Sequence, residues 1–323
     1  MVSSYLRYLH RVRQFIQTKP IRPVLEYCIG KERKFGVCEY GVTRHHAKIT
    51  LVYFHGTPAC RYEPSLHSDQ HQGEHSIYEY HKIRLICIER PGFGVSTPVT
   101  RSYSVNDFAR DILEHEAELS LPRHFSVLGF SAGAPYVWAI KALVPHRIES
   151  AVIVAGVVDP NLNNFSISIR KSLENVFFGL PISVQTLLFR LAIELVKLEL
   201  KLLSIIFQIL QRLGAKSLNH KLDSIIDILD ESSRQGYEGV TLDTLRNQAS
   251  PWGFDISCEK DTRIHLFYSL EDWTVPPSEA RRLAKHTGLK VTWLEGGHLC
   301  LYLNLRTIIE TAVVKSKIAE HEV

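Results

Sequence analysis

The sequence predicts an α/β protein: a mostly parallel β-sheet sandwiched by helices and interrupted by an inserted all-helical block. Three observations lead there. Short apolar runs rich in β-branched residues recur along the chain. Helix-length segments lie between most of the later ones. The alternation stops between about Asp159 and Thr262 and then resumes. Buried strands alternating with helices indicate a parallel sheet covered on both faces.

Taken in order, the chain opens on a basic stretch. Residues 1–22 carry Arg7, Arg11, Arg13, Lys19 and Arg22 and no acid, so this end is +5 where the whole chain is +4. Tyr5, Leu9, Val12 and Ile16 share one helical face. An acid-free amphipathic start has three readings: a helix packed on its own domain, a membrane-surface anchor, or a cleaved transit peptide. The sequence leaves all three open, and organellar targeting with them.

Strands are expected over 34–39, 49–54, 83–89, 125–129, 151–155, 263–268 and 290–294. Helices are expected over 105–119, 132–143, 278–286 and 301–318. The all-helical block between them reads as an inserted cap. The expected domains are a basic N-terminal segment 1–29, a core of 30–158 and 256–323, and a helical cap 159–255. Within the cap, Arg190, Glu194, Lys197, Lys201, Ser204, Gln208 and Gln211 form one narrow polar stripe on the segment 187–212, and nearly everything else there except Glu199 is apolar. Such a helix is expected to be buried between the cap and its neighbours; lining an apolar substrate site, contacting lipid and dimerising are its other readings.

Composition bounds the function. With 45% hydrophobic and 22% charged residues the chain is globular. Outside the basic end the body is about −1, which argues against a nucleic-acid footprint. The longest uncharged apolar run, 125–140, has 16 residues and is broken by glycines and a proline, short of the roughly 18 that a membrane span needs. Six scattered cysteines without close pairs indicate reduced thiols and a cytoplasmic setting, with membrane association left open.

The stretch VLGFSAGAP, 127–135, follows a strand and opens a helix. Gly129-Phe130-Ser131-Ala132-Gly133 is a glycine-flanked serine at a strand-to-helix turn, a geometry that lifts a nucleophilic hydroxyl above a sheet. The helix start places a free N–H and a positive dipole end beside Ser131. A serine needs a base, and the base needs an orienting carboxylate. His298, after Gly296 and Gly297 and before the last helix, is the candidate base. Asp272, in the loop after the strand 263–268, is the preferred acid over Asp159 and Glu271. An oxyanion needs two backbone donors. Ala132 supplies one and Thr57 the other, in a loop shaped by His55 and Gly56.

These motifs resemble those of the α/β-hydrolases that carry a helical cap: HGTPACR at 55–61, ERPGFGVSTP at 89–98, GFSAG at 129–133, EDWTVP at 271–276 and EGGHL at 295–299. RQGYEG at 234–239 and PWGFD at 251–255 resemble the end of the cap in a mostly bacterial subgroup. The resemblance implies a cap inserted after the sixth strand, nucleophile Ser131, base His298, acid Asp272 and an oxyanion hole from Thr57 and Ala132. Glu89 departs from the family's usual Asp and is expected to affect its loop, not the chemistry. Epoxide hydrolases and dehalogenases of this fold carry Asp at the nucleophile position, so Ser131 disfavours both.

The function expected is cleavage of a carboxylic ester through an acyl-enzyme. The apolar face of 187–210 suggests a hydrophobic acyl chain as the small-molecule substrate. Peptide, thioester or carbon–carbon bond hydrolysis or acyl transfer to an alcohol on the same triad, or a ligand-binding receptor of the same fold, are the alternatives. No cofactor or metal is needed. His67, His71 and His75 have helical spacing for metal ligation, but Gly73 interrupts it, so a polar helix face is expected. Cys60 and Cys300 are expected to be structural neighbours of the site.

Overall fold

The computed structural model of the chain describes residues 20–67, 76–162, 176–212, 220–256 and 261–314. Eight strands form one sheet: β1 (Leu25–Ile29), β2 (Phe35–Gly41), β3 (Ile49–Phe54), β4 (Ile83–Ile88), β5 (Phe125–Phe130), β6 (Ile148–Val154), β7 (Ile264–Ser269) and β8 (Val291–Leu294). Their order is β1-β2-β4-β3-β5-β6-β7-β8. β2 runs antiparallel to both β1 and β4, and every other pair is parallel.

Strand residues alternate between two apolar layers, as the pleat requires. Val52, Phe54, Ile86, Ile88, Val127 and Ile153 face one core. Leu51, Tyr53, Leu85, Cys87, Leu128 and Val152 face the other. The first layer is closed by α1 (Val105–Glu114), α2 (Ala134–Leu143) and, further along the chain, the helix Pro277–Thr287. The second is closed by Tyr78 and by Leu301, Leu305, Ile308 and Ala312 of the C-terminal segment. Burial on both faces is why the central strands read as unbroken apolar runs.

Several boundaries differ from the sequence expectation. β1 lies inside the segment 1–29, so the sheet starts before residue 30. It is an edge strand with three exposed residues, Leu25, Glu26 and Cys28, and the acid among them hides its strand character. α1 is closed at its start by a reciprocal Ser104–Asp107 capping box and ends at Glu114, not at 119. α2 begins at Ala134 because Ser131–Gly133 form a tighter 3-10 turn first. The expected helix 301–318 is broken at Asn304, whose side-chain N–H groups bond the carbonyls of Cys300 and Glu295. Residues 315–318, and the basic stretch 1–19, lie outside the described residues.

Between β6 and β7 the described elements are helical: α3 (Ile182–Arg212), α4 (His220–Ser232) and α5 (Glu238–Thr244), running on into a π-turn over Leu245–Ala249. α3 is not buried as expected but lies with one face in solvent. Of its polar stripe only Lys197 and Ser204 are buried among the described residues: Lys197 Nζ donates to Asp230 at 2.8 Å, and Ser204 Oγ donates to Asp223 at 2.9 Å. Arg190, Glu194, Lys201 and Gln208 stay exposed, and Ile193 packs inward with Phe93, Leu229 and Val240. Its apolar face is on the outside, with Leu187, Leu191, Leu195, Leu198 and Leu202 each more than half exposed. The orientation is held by the acids of α4, which pair the buried Lys197 and Ser204, and by Ile193 packing on Phe93, Leu229 and Val240. The apolar face is therefore exposed, not buried between the cap and its neighbours. Among the described residues no helix is long and apolar enough to cross a membrane.

Candidate active site

The site forms at the C-terminal ends of the parallel strands. β3 and β5 pair in parallel with Phe54 opposite Gly129, which brings the loop after β3 beside the turn after β5. Ser131 sits in that turn at φ +51°, a left-handed conformation that a residue with a Cβ adopts only under constraint. The flanking glycines are steric necessities. A Cβ on Gly133 would lie 2.1 Å from the Phe54 carbonyl oxygen, and one on Gly129 would lie 2.6 Å from the Gly133 oxygen.

His298 Nε2 is 3.0 Å from Ser131 Oγ, and His298 Nδ1 is 2.8 Å from Asp272 Oδ2. The other Asp272 oxygen accepts the Thr274 and Val275 N–H groups at 2.8 and 2.9 Å. Asp272 is buried, whereas the His298 side chain keeps 22% exposure toward the opening. The Phe130 ring lies 5.3 Å from the imidazole and holds it laterally. Gly296 and Gly297 both take positive φ, and the Gly297 N–H donates to Ser269 Oγ, so the chain turns sharply just before His298.

Of the three candidate carboxylates, Asp272 is the one placed against His298. Glu271 turns back to accept the Gly296 N–H at 3.4 Å. Asp159 accepts the N–H of Asn161 and a backbone bond at Trp252, and burial raises its carboxyl above the usual range.

The loop after β3 is held from below. His55 is fully buried, and burial, then Arg90, pushes its imidazole well below the ordinary value. Its Nε2 accepts the Arg90 N–H at 3.1 Å, so its Nδ1–H donates to the Gly56 carbonyl at 2.9 Å. Glu63 accepts the Gly56 N–H at 2.9 Å and the hydroxyls of Tyr53 and Tyr302 at 2.6 and 2.8 Å. The Thr57 and Ala132 N–H groups are engaged by no partner among the described residues.

A second buried layer ties this loop to the helical segment. Arg90 donates to the Gly56 carbonyl and to Thr57 Oγ1, both at 2.8 Å, and pairs with Asp243 of α5. Asp243 also accepts the Tyr136 hydroxyl at 2.7 Å, and Asn247 donates to the Ala132 carbonyl at 3.1 Å. Glu63, Asp243 and Asn247 escaped the sequence reading. Their partners are remote in the chain, and none sits in a motif that marks it. Arg90 stands within the ERPGFG stretch, where its charge was the only signal.

Glu89 shapes its own loop. It pairs with Arg61 at 2.8 Å and accepts the Val95 N–H at 2.8 Å. Cys60 and Cys300 are buried, and burial pushes the Cys300 thiol up to about 12. His67 is buried with Nδ1 2.7 Å from the Tyr78 hydroxyl, while His71 and His75 lie outside the described residues. No cluster of three or more metal-ligating side chains occurs among the described residues.

An eight-stranded sheet of this order, with a serine turn after β5 and a histidine loop after β8, defines an α/β-hydrolase. The sequence model of the alpha/beta hydrolase family matches residues 51–307, and the chain belongs to that family. No curated protein matches it. Among solved structures it is similar to an esterase from Exiguobacterium antarcticum (16% identity, 93% of this chain and 100% of that one, TM-score 0.55). It is also similar to an enol-lactonase from Burkholderia xenovorans LB400 (14% identity, 90% and 100%, TM-score 0.57) and to epoxide hydrolase VrEH1 from Vigna radiata (14%, 91% and 97%, TM-score 0.62). At these identities the likeness is one of fold.

Proposed function

We propose that the protein is a serine hydrolase that cleaves a carboxylic ester of a small-molecule substrate through an acyl-enzyme. The observation that carries this is the continuous hydrogen-bonded line from Asp272 through His298 to Ser131, ending on a serine held in a left-handed turn. His298 takes the Ser131 proton as Oγ attacks the ester carbonyl. Asp272 holds Nδ1–H, which leaves Nε2 free to act as the base and stabilises the imidazolium. The N–H groups of Thr57 and Ala132 receive the oxyanion. His298 returns the proton to the leaving alcohol, and water then releases the acyl group by the same steps. In this reading the helices between β6 and β7 are the cap of a core formed by the rest, joined to it through Arg90–Asp243 and Asn247–Ala132.

A serine nucleophile also separates this reading from epoxide opening, which in this fold uses an aspartate at the turn. The test is a panel of p-nitrophenyl esters of rising acyl length, together with a fluorophosphonate probe. Turnover and labelling are expected in the parent and absent in Ser131→Ala. Labelling without turnover of any ester would assign the triad to another acyl chemistry or to a receptor. Neither labelling nor turnover would remove the hydrolase reading.

A further inference from the structure

The outward face of α3 is built as a helix-pairing seam. Leu188, Leu191, Leu195, Leu198, Leu202 and Ile205 follow one another at spacings of three and four, a strict seven-residue repeat, and each is 42–57% exposed. Leu188 to Ile205 spans about 26 Å along the axis. Monomeric soluble proteins seldom leave a contiguous apolar patch of more than a few hundred Å² uncovered. The buried Lys197 and Ser204 lie on the opposite side of the helix, so the fold itself presents the seam to solvent.

We propose that this face pairs with the same face of a second copy, as an antiparallel two-helix coiled coil about a two-fold axis between Val196 and Lys197. In that register Leu188 of one copy opposes Ile205 of the other, Leu191 opposes Leu202, and Leu195 opposes Leu198. Six aliphatic layers result with no polar residue among them. The charges beside the seam select the direction. Antiparallel pairing sets Glu194 of each copy beside Lys201 of the other, two attractive contacts. Parallel pairing would set Glu194 beside Glu199 twice, two repulsive ones. The two-fold closes the contact on itself, so it yields a dimer and not a filament.

The same charges argue against a lipid surface as the occupant. The exposed flanks hold Arg190 and Lys201 against Glu194 and Glu199, so they carry no net positive charge to attract anionic headgroups. Glu199 also lies within the apolar arc, where insertion would have to desolvate it.

The test is sedimentation velocity on the full chain between 1 and 100 µM (roughly the range that resolves weak and strong dimers), with a parallel flotation assay on phosphatidylcholine and phosphatidylcholine–phosphatidylserine vesicles. A species of twice the 36.9 kDa chain mass is expected. Leu195→Glu with Leu198→Glu is expected to give a monomer with an unchanged circular-dichroism spectrum, because both side chains are already half in water. Direction is read by disulfide formation with Cys28 and Cys258 changed to Ser. Leu188→Cys protein mixed with Ile205→Cys protein cross-links, and Leu188→Cys alone does not. A monomer across the range overturns the proposal, as does a dimer that survives the double glutamate variant or a Leu188→Cys self-cross-link. A monomer that floats with vesicles assigns the face to lipid instead, and one that dimerises only after removal of residues 1–19 assigns it to the chain's own N-terminal segment.

Discussion

Changing Asp243 to Asn should unfasten the helical segment from the loop that carries Thr57. Asp243 and Arg90 are both fully buried and form an ion pair. Asp243 also accepts from Tyr136 at 2.7 Å and from Asn247 at 3.0 Å. The amide keeps the shape, removes the charge and turns one acceptor into a donor aimed at the guanidinium. Arg90 then holds a buried charge without its carboxylate, a change that costs about 3–5 kcal/mol. Unfolding entropy of about 2.1 cal/mol/K per residue gives about 0.7 kcal/mol/K for a chain of 323 residues. The melting temperature should therefore fall by about 4–7 °C in scanning calorimetry. Arg90→Met with Asp243→Leu removes the Arg90–Asp243 pair but leaves the buried Arg246, 3.2 Å from the same carboxylate, without its partner, so it should recover only part of that loss. Turnover should not recover in the double variant, because Arg90 also holds the Gly56 carbonyl and Thr57 Oγ1. A melting temperature within 1 °C of the parent, roughly the ~1 kcal/mol scale of an ordinary substitution, or a double variant no better than the single one, would refute the reasoning.

Asp272→Asn should lower kcat for any cleaved ester by about 10⁴-fold with the fold intact, whereas Asp159→Asn should leave kcat within a few-fold; initial-rate kinetics decide, and the reverse result moves the acid to the loop after β6. Gly133→Ala should abolish fluorophosphonate labelling, since its Cβ would need the space of the Phe54 carbonyl oxygen 2.1 Å away; labelling at the parent rate would show that the turn is not tight. Lys221 is buried with Nζ 2.7 Å from the Leu66 carbonyl, and burial lowers its ammonium to about 6 from an ordinary 10.5. Between those values the unfolded chain holds a proton that the folded chain has released, so stability should rise with pH, by at most about 1.4 kcal/mol per unit from this group. Urea titrations at pH 6.5, 7.5 and 8.5 (a span of about two units inside that window) should show the slope, and Lys221→Met should flatten it.

Much of the core was legible in one dimension for a physical reason. Parallel central strands are buried on both faces, so β3, β4, β5 and β6 stand out as apolar runs whatever surrounds them. The edge strand β1 lacks that double burial and was absorbed into the basic segment. Ser131, Asp272 and His298 were legible because each follows a strand end and its local turn chemistry shows in its neighbours: Gly129 and Gly133, the Asp272 turn to Val275, and Gly296–Gly297. Glu63 and Asp243 had no such marker. Glu63 meets Tyr302 across 239 residues and Asp243 meets Arg90 across 153, distances over which no spacing rule operates.

The helix α3 marks the boundary most sharply. Its sequence alone determined that it is a helix with one polar stripe and one broad apolar face, because both follow from a repeat of 3.6 residues. Which face turns inward depends on what lies underneath, and that is a property of the assembled fold. Here α4 presents Asp223 and Asp230, so Ser204 and Lys197 were drawn in and the leucines left outside. The nucleophile turn was written in its neighbours; the direction of α3 was decided by partners in the assembled fold, Asp223 and Asp230 lying 19 and 33 residues from Ser204 and Lys197, for the general reason that a buried ion must be paired whereas an aliphatic side chain can remain in water at modest cost.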